Sequence, residues 1–148
     1  KVANAIDLPF PNNKFDTVVC WEVIEHIPKN TEYKLFSEVK RVLKPNGVFY
    51  VSTPYNSLPS KIFDPAWWLI GHRHYSQKQL AQIALKEKMS LVEYSIRGKW
   101  WELVGILNMY FSKWVLRRRP LFERIFGKKI DKEYKQEGFI DIFIKFKK

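Results

Sequence analysis

The 148-residue chain predicts an α/β fold built on a mixed sheet, and three observations carry that prediction. Thr17–Cys20 and Val48–Thr53 are short, β-branched runs bounded by turn residues, the pattern of strands buried on both faces. Between them Leu35, Val39, Val42 and Leu43 fall at i, i+4, i+7 and i+8, which marks one face of a helix over about 31–44. Strand, helix and strand at this spacing form a right-handed crossover, so the two strands are parallel.

Each further element follows from local chemistry. Lys40, Arg41 and Lys44 sit in the last turn of that helix, where cations suit its dipole, and Pro45 with Gly47 stops it. Pro54, Pro59 and Pro65 predict an irregular stretch over residues 54–75, and long loops in compact α/β domains are often functional. Ser76 and Gln79 form a capping box that opens a helix running to about residue 88, with Leu80, Ile83 and Ala84 inward. Val92, Tyr94 and Ile96 alternate with polar residues, the pattern of a half-exposed strand. Ile140, Ile142, Ile144 and Phe146 alternate in the same way, which predicts a second, edge-like strand antiparallel to its neighbour. Between those strands, Leu103, Ile106, Leu107, Tyr110, Phe111 and Trp114 mark a wide apolar helical face that ends at Arg117-Arg118-Arg119-Pro120.

Composition narrows the class. A hydrophobic share of 46% is enough for a buried core and excludes a disordered tail. The single cysteine, Cys20, cannot close an internal disulfide and fits a reducing, cytoplasmic compartment. No apolar run has spanning length. The net charge is +11, and the excess is concentrated in residues 99–148, which hold 13 basic against 6 acidic side chains. That field attracts anions: phosphate-bearing substrates, nucleic acid or acidic headgroups.

Four blocks carry a family resemblance: Asp7-Leu8-Pro9-Phe10-Pro11, Phe15-Asp16-Thr17-Val18-Val19, Glu22-Val23-Ile24-Glu25-His26 and Arg41-Val42-Leu43-Lys44-Pro45-Asn46-Gly47. In this order and spacing they resemble the class I S-adenosylmethionine (SAM) dependent methyltransferases of the type 11/23 kind. The resemblance implies a Rossmann-like fold seen from the end of its third strand onward, with a helical insertion and a C-terminal antiparallel strand. Residues 1–98 would be the C-terminal part of the methyltransferase core, 99–137 a helical aromatic and basic insertion, and 138–148 the final core strand. The six glycines are never within five residues of one another, so the family's glycine-rich cofactor loop has no counterpart here. The expectation is a fragment that is inactive by itself.

The same resemblance implies the cofactor site. Asn4 and Ala5 stand where the family has Asp-Ala beside the adenine, with an amide in place of the carboxylate. Cys20 and Trp21 match positions at the carboxyl end of a strand that lines the SAM pocket, at a topological switch point.

Glu22, Glu25 and His26 are spaced i, i+3 and i+4, so a helical turn would put them on one face. Two carboxylates so close call for a proton or a divalent cation between them. His26 is then a candidate acid/base, with Glu22 and Glu25 as further catalytic residues. The alternative is a Mg²⁺ site of Glu22, Glu25, His26 and His74. This constellation resembles quinone-biosynthesis O-methyltransferases and small-RNA 2′-O-methyltransferases, in which such residues hold Mg²⁺ near the acceptor hydroxyl. The reaction expected is O-methylation of a small-molecule or lipid-linked acceptor. The alternatives are an RNA 2′-O-methyltransferase-like enzyme and a non-catalytic binding module. Trp100-Trp101, the apolar face and Arg117–Arg119 have the makeup of an interfacial helix, so residues 100–119 are expected either to lie on an anionic membrane surface or to form a lid.

Overall fold

The computed structural model describes residues 2–148. Its elements are β1 (Phe15–Trp21), α1 (Glu32–Val42), β2 (Leu43–Pro54), α2 (Leu58–Phe63), α3 (Pro65–Ile70), α4 (Gln77–Lys86), β3 (Ser90–Arg97), α5 (Trp100–Trp114), α6 (Glu123–Glu133) and β4 (Asp141–Lys147). The strands make one mixed sheet in the order β1-β2-β4-β3. β1 and β2 pair in parallel, with Thr17 opposite Val48 and Trp21 opposite Ser52, as the strand–helix–strand spacing requires. The Lys44–Gly47 turn survives as an irregularity of this ladder, since the register jumps from Leu43 to Val48 as β1 advances from Phe15 to Thr17.

α1 ends at Val42, slightly earlier than its apolar period suggests. Leu43 turns extended (ψ 139°) to enter β2, and the proline two residues on disfavours further helix. The C-terminal strand also differs from expectation. β4 lies inside the sheet between β2 and β3 rather than at an edge. Lys148 donates its N–H to Gly47 and Ser90 donates its hydroxyl to Lys147, so β4 runs antiparallel to both neighbours. Alternation along a strand reports which face is buried and says nothing about which strands flank it.

The chain divides into two compact units. The first comprises residues 1–53, 75–94 and 143–148. Its centre is a trio of fully buried rings, Phe36 from α1, Phe49 from β2 and Phe146 from β4, with centroids 5.3, 5.4 and 6.2 Å apart. α1 and α4 pack together over this centre through Leu35, Val39, Leu80 and Ala84. α4 begins with the full capping box, Ser76 and Gln79 bonding each other's backbone N–H. The segment before β1 is tied to α1 by a charged clamp. Arg41 donates to the carbonyls of Leu8 (2.8 Å) and Phe10 (2.7 Å) and to both oxygens of Glu38, while Glu38 accepts the Leu8 N–H at 2.7 Å. The Arg41 bond holds the Glu38 carboxyl below its ordinary value.

The second unit comprises residues 54–74 and 95–142. The expected irregular stretch contains two short helices, because its prolines open helices instead of breaking them. Ser57 caps α2, with Pro59 in its first turn, and Asp64 caps α3, accepting the Ala66 N–H at 2.8 Å with Pro65 following. α3 closes on Gly71, which holds the left-handed φ of 70° that a helix stop of this kind needs. α5 and α6 pack on each other. The start of α5 has no cap of its own, and α6 provides one: the Glu133 carboxylate accepts the N–H groups of Lys99, Trp101 and Glu102 at 3.0–3.3 Å.

Next to that cap the Tyr134 hydroxyl lies 2.6 Å from Glu102 Oε1 and 2.7 Å from Asp141 Oδ2. One hydroxyl proton serves one acceptor, so the cluster needs a second proton. Burial, and then the charge of Asp141, push the Glu102 carboxyl up to about 8. The folded chain therefore holds a proton here that the unfolded chain, with Glu102 at its ordinary 4.5, releases. This stabilisation is complete below pH 4.5 and is lost as pH rises through about 8. Thermal melts should fall across that window, and Glu102→Gln should flatten the dependence. An unchanged slope in the variant would contradict the assignment.

Candidate active site

The candidate site lies in the first unit, at the carboxyl ends of the parallel strands β1 and β2. Ligands bind open parallel sheets at this edge. β1 ends at Trp21, and Glu22 then adopts a left-handed backbone (φ 51°) that turns the chain across the end of β2. There the Glu22 N–H donates to the carbonyl and hydroxyl oxygens of Ser52, both at 3.2 Å, and the Ser52 hydroxyl donates to Glu22 Oε1 at 2.5 Å. One strand position on, the buried Thr53 hydroxyl donates to Oε2 of the buried Glu25 at 2.9 Å. Each carboxylate is thus fixed by a hydroxyl from the neighbouring strand.

Residues 22–27 form a turn rather than a helix, closed by the His26 N–H on the Val23 carbonyl at 2.9 Å. The turn still brings Glu25 and His26 together, with His26 Nε2 3.9 Å from Glu25 Oε1. The Glu25 side chain is wholly enclosed, while that of His26 is 55% exposed. The geometry is that of an imidazole offered to solvent with a carboxylate behind it. Tyr75 braces the turn, its hydroxyl donating to Glu32 Oε1 at 2.9 Å and lying 3.4 Å from the Ile24 carbonyl.

Trp21 is half exposed, with Tyr50 at 6.4 Å and Phe143 at 6.1 Å between ring centroids. Cys20 points the other way and is buried. Burial, then the charges of Glu25 and Glu22, push its thiol up to about 12. Thiolate is the reactive form, so alkylation of native chain by iodoacetamide at pH 8 should be far slower than in denaturant. Equal rates would contradict this placement. Asn4 makes a local turn, accepting the Ile6 N–H on Oδ1 at 3.2 Å and the Asp7 N–H on its carbonyl at 3.0 Å. Asn4 is exposed and Ala5 is half-buried beside it.

His74 belongs to the second unit and has its own surroundings there. Its Nε2 lies 3.3 Å from Asp64 Oδ2, its ring packs on Trp67, and His72 Nδ1 meets the same Asp64 oxygen at 2.8 Å. Against the cost of partial burial, these histidines and the Ala66 N–H hold the Asp64 carboxyl well below the usual carboxylate range. The residue types at positions 22, 25 and 26 were readable from the sequence. Asp64 was not singled out there, although Asp-Pro is a signal for a cap followed by a first helical residue.

Comparison with known proteins bears on the sequence blocks and the fold that carry this site. Residues 1–51, which include β1, the Glu22–His26 turn and most of β2, match a family model described as a methyltransferase domain. A Mycolicibacterium smegmatis protein carrying the description "Probable S-adenosylmethionine-dependent methyltransferase" is 47% identical over 51 residues, covering 34% of this chain and 19% of that protein. Among solved structures, a SAM-dependent methyltransferase from Archaeoglobus fulgidus superposes with a TM-score of 0.64 at 17% identity, covering 99% of this chain and 66% of that one. The [4+2]-cyclase SpnF superposes with a TM-score of 0.65 at 14% identity, covering 100% of this chain and 56% of that one. The chain spans less than a quarter of the length of the curated relatives it matches. Residues 1–51 thus resemble a methyltransferase domain in sequence, and the chain as a whole has the Rossmann-like fold of SAM-dependent methyltransferases.

Proposed function

We propose that the chain takes part in SAM-dependent methyl transfer to an oxygen atom of a small-molecule or lipid-linked acceptor. The observation that carries this reading is the turn at the carboxyl ends of β1 and β2, where Glu22 and Glu25 are locked by Ser52 and Thr53 and His26 is left open to solvent. When bound, SAM supplies an electrophilic methyl group on a sulfonium centre. The residues suited to hold it are Trp21, whose half-exposed indole offers an apolar face, and the Asn4–Ala5 turn, whose exposed amide can meet a base edge. Cys20 contributes through its backbone, since its thiol is enclosed.

His26 Nε2 takes the proton of the acceptor hydroxyl as that oxygen attacks, and Glu25, 3.9 Å away, stabilises the imidazolium that results. Most of the acceleration comes from holding acceptor oxygen and methyl carbon in line at near-attack distance. A divalent cation at Glu22, Glu25 and His26 would assist the same deprotonation by lowering the pKa of a bound hydroxyl. One oxygen of each carboxylate is engaged by a hydroxyl group, which leaves His26 as the base that takes the proton.

The anionic membrane surface expected for residues 100–119 suits a lipid-linked acceptor. No helix among the described residues is long and apolar enough to cross a membrane. The exposed Trp100 and Trp114 of α5 and the cations that follow it favour lying on one.

Incubation of the intact enzyme with methyl-tritiated SAM and a panel of phenols and polyprenyl phenols, followed by mass analysis, tests the proposal. Label in a methyl ether is the expected product. Label on nitrogen or carbon only, or in added RNA instead, would overturn the acceptor assignment.

A further inference from the structure

The second unit concentrates exposed apolar surface, and most of it lies outside the helix that sequence pattern singles out. Leu58 and Ile62 of α2 and Trp68, Leu69 and Ile70 of α3 are each more than half exposed, with Ile70 at 73%. Scattered exposed leucines are ordinary on a folded protein, but five large apolar side chains on two consecutive six-residue helices are not. The two helices are held as one piece: the Trp68 indole N–H donates to the Ile62 carbonyl at 3.2 Å, and the Lys61 ammonium lies 5.3 Å from the centre of the Trp67 ring. Asp64 and Gly71 cap α3 at both ends, so its apolar side chains are presented outward on a closed helix rather than on a frayed one. α2 packs against α5, which exposes Trp100, Leu107, Phe111 and Trp114.

Charge in this unit has one dominant sign. Lys61 stands beside α3, and Lys113 with Arg117, Arg118 and Arg119 closes the end of α5. We infer that α2 and α3 form an insertion element by which the second unit docks on an anionic lipid bilayer, with Leu58, Ile62, Trp68, Leu69 and Ile70 entering the headgroup–acyl boundary. The inference rests on the membrane reading of residues 100–119 and adds a second, separate contact to it. Apolar residues flanked by cations and indoles are the chemistry of a surface-lying element. Four of the five inserting side chains are aliphatic and suit an acyl boundary better than the stacked bases of single-stranded RNA, which favours lipid.

Flotation of the 148-residue chain with phosphatidylcholine vesicles, with and without phosphatidylglycerol, is the test. Wild type should float with the anionic vesicles. The double variant Leu69→Asp, Ile70→Asp should lose about tenfold or more in partitioning. Arg117→Gln, Arg118→Gln, Arg119→Gln should lose roughly fivefold per cation on anionic vesicles only. These side chains are exposed, and matching circular dichroism spectra confirm that the variants fold. As a second readout, brominated lipid should quench wild-type fluorescence more than that of Trp68→Phe. If the Leu69/Ile70 variant floats like wild type while Leu107→Asp, Phe111→Asp does not, the insertion element is refuted and the reading of residues 100–119 stands. If wild type floats with no vesicle, or shifts oligouridine in a salt-dependent way instead, both fall.

Discussion

Replacing Phe49 with alanine should lower the free energy of unfolding by about 3–5 kcal/mol, among the largest stability effects expected of a single substitution in this chain. The ring is fully enclosed and stands edge-on to Phe36 at 5.3 Å and stacked with Phe146 at 6.2 Å. Its removal takes away transfer energy and also leaves a space that three rigid elements, α1, β2 and β4, cannot close. The neighbouring rings lose an aromatic contact worth about 0.5–1.5 kcal/mol beyond area. Val92→Ala on β3, where the side chain is half exposed, is the control, and should cost no more than about 0.5 kcal/mol. Urea denaturation read by circular dichroism measures both. Similar midpoints for the two variants would contradict the placement of the core.

His26→Ala should reduce methyl transfer by about 10²–10⁴-fold, the usual contribution of a positioned base. The side chain is 55% exposed and the bond that closes the turn comes from the His26 backbone N–H, so circular dichroism should show the variant folded. The loss should fall on the rate of the chemical step and leave SAM binding alone. Acceptors whose hydroxyl is already ionised at the working pH should be spared, because the proton that His26 takes is then absent. This acceptor-dependent rescue separates a base from a residue that merely shapes the turn. Equal losses for acidic and ordinary hydroxyls would argue for shape.

The parallel core was legible because period and punctuation agree: β-branched runs, a 3.6-residue apolar stripe and Pro45–Gly47 all point one way. α6 was not legible, for physical reasons. It starts at Phe122 in a left-handed conformation without a side-chain cap, buries no residue fully, and is held by Glu133 acting on another helix. The prolines at 59 and 65 misled in one respect, since a proline ends a helix in its interior but begins one in its first turn. β4 carried the right alternation and the wrong position, because pairing order is set by the whole sheet. In the site, Glu22, Glu25 and His26 were readable as residue types that do chemistry. Their partners Ser52 and Thr53 matter through the parallel register that sets Trp21 opposite Ser52, a relation between segments thirty residues apart.

The central claim is that the carboxyl end of β1 and the Asn4–Ala5 turn meet the cofactor. Titrating S-adenosylhomocysteine into the ¹⁵N-labelled chain and following amide shifts tests it directly, and detects weak binding as well as strong. The expected result is a saturable response confined to Asn4–Ile6 and Cys20–Glu22, including the Trp21 indole N–H. A response confined to the second unit, or no response anywhere at saturating ligand, would contradict it.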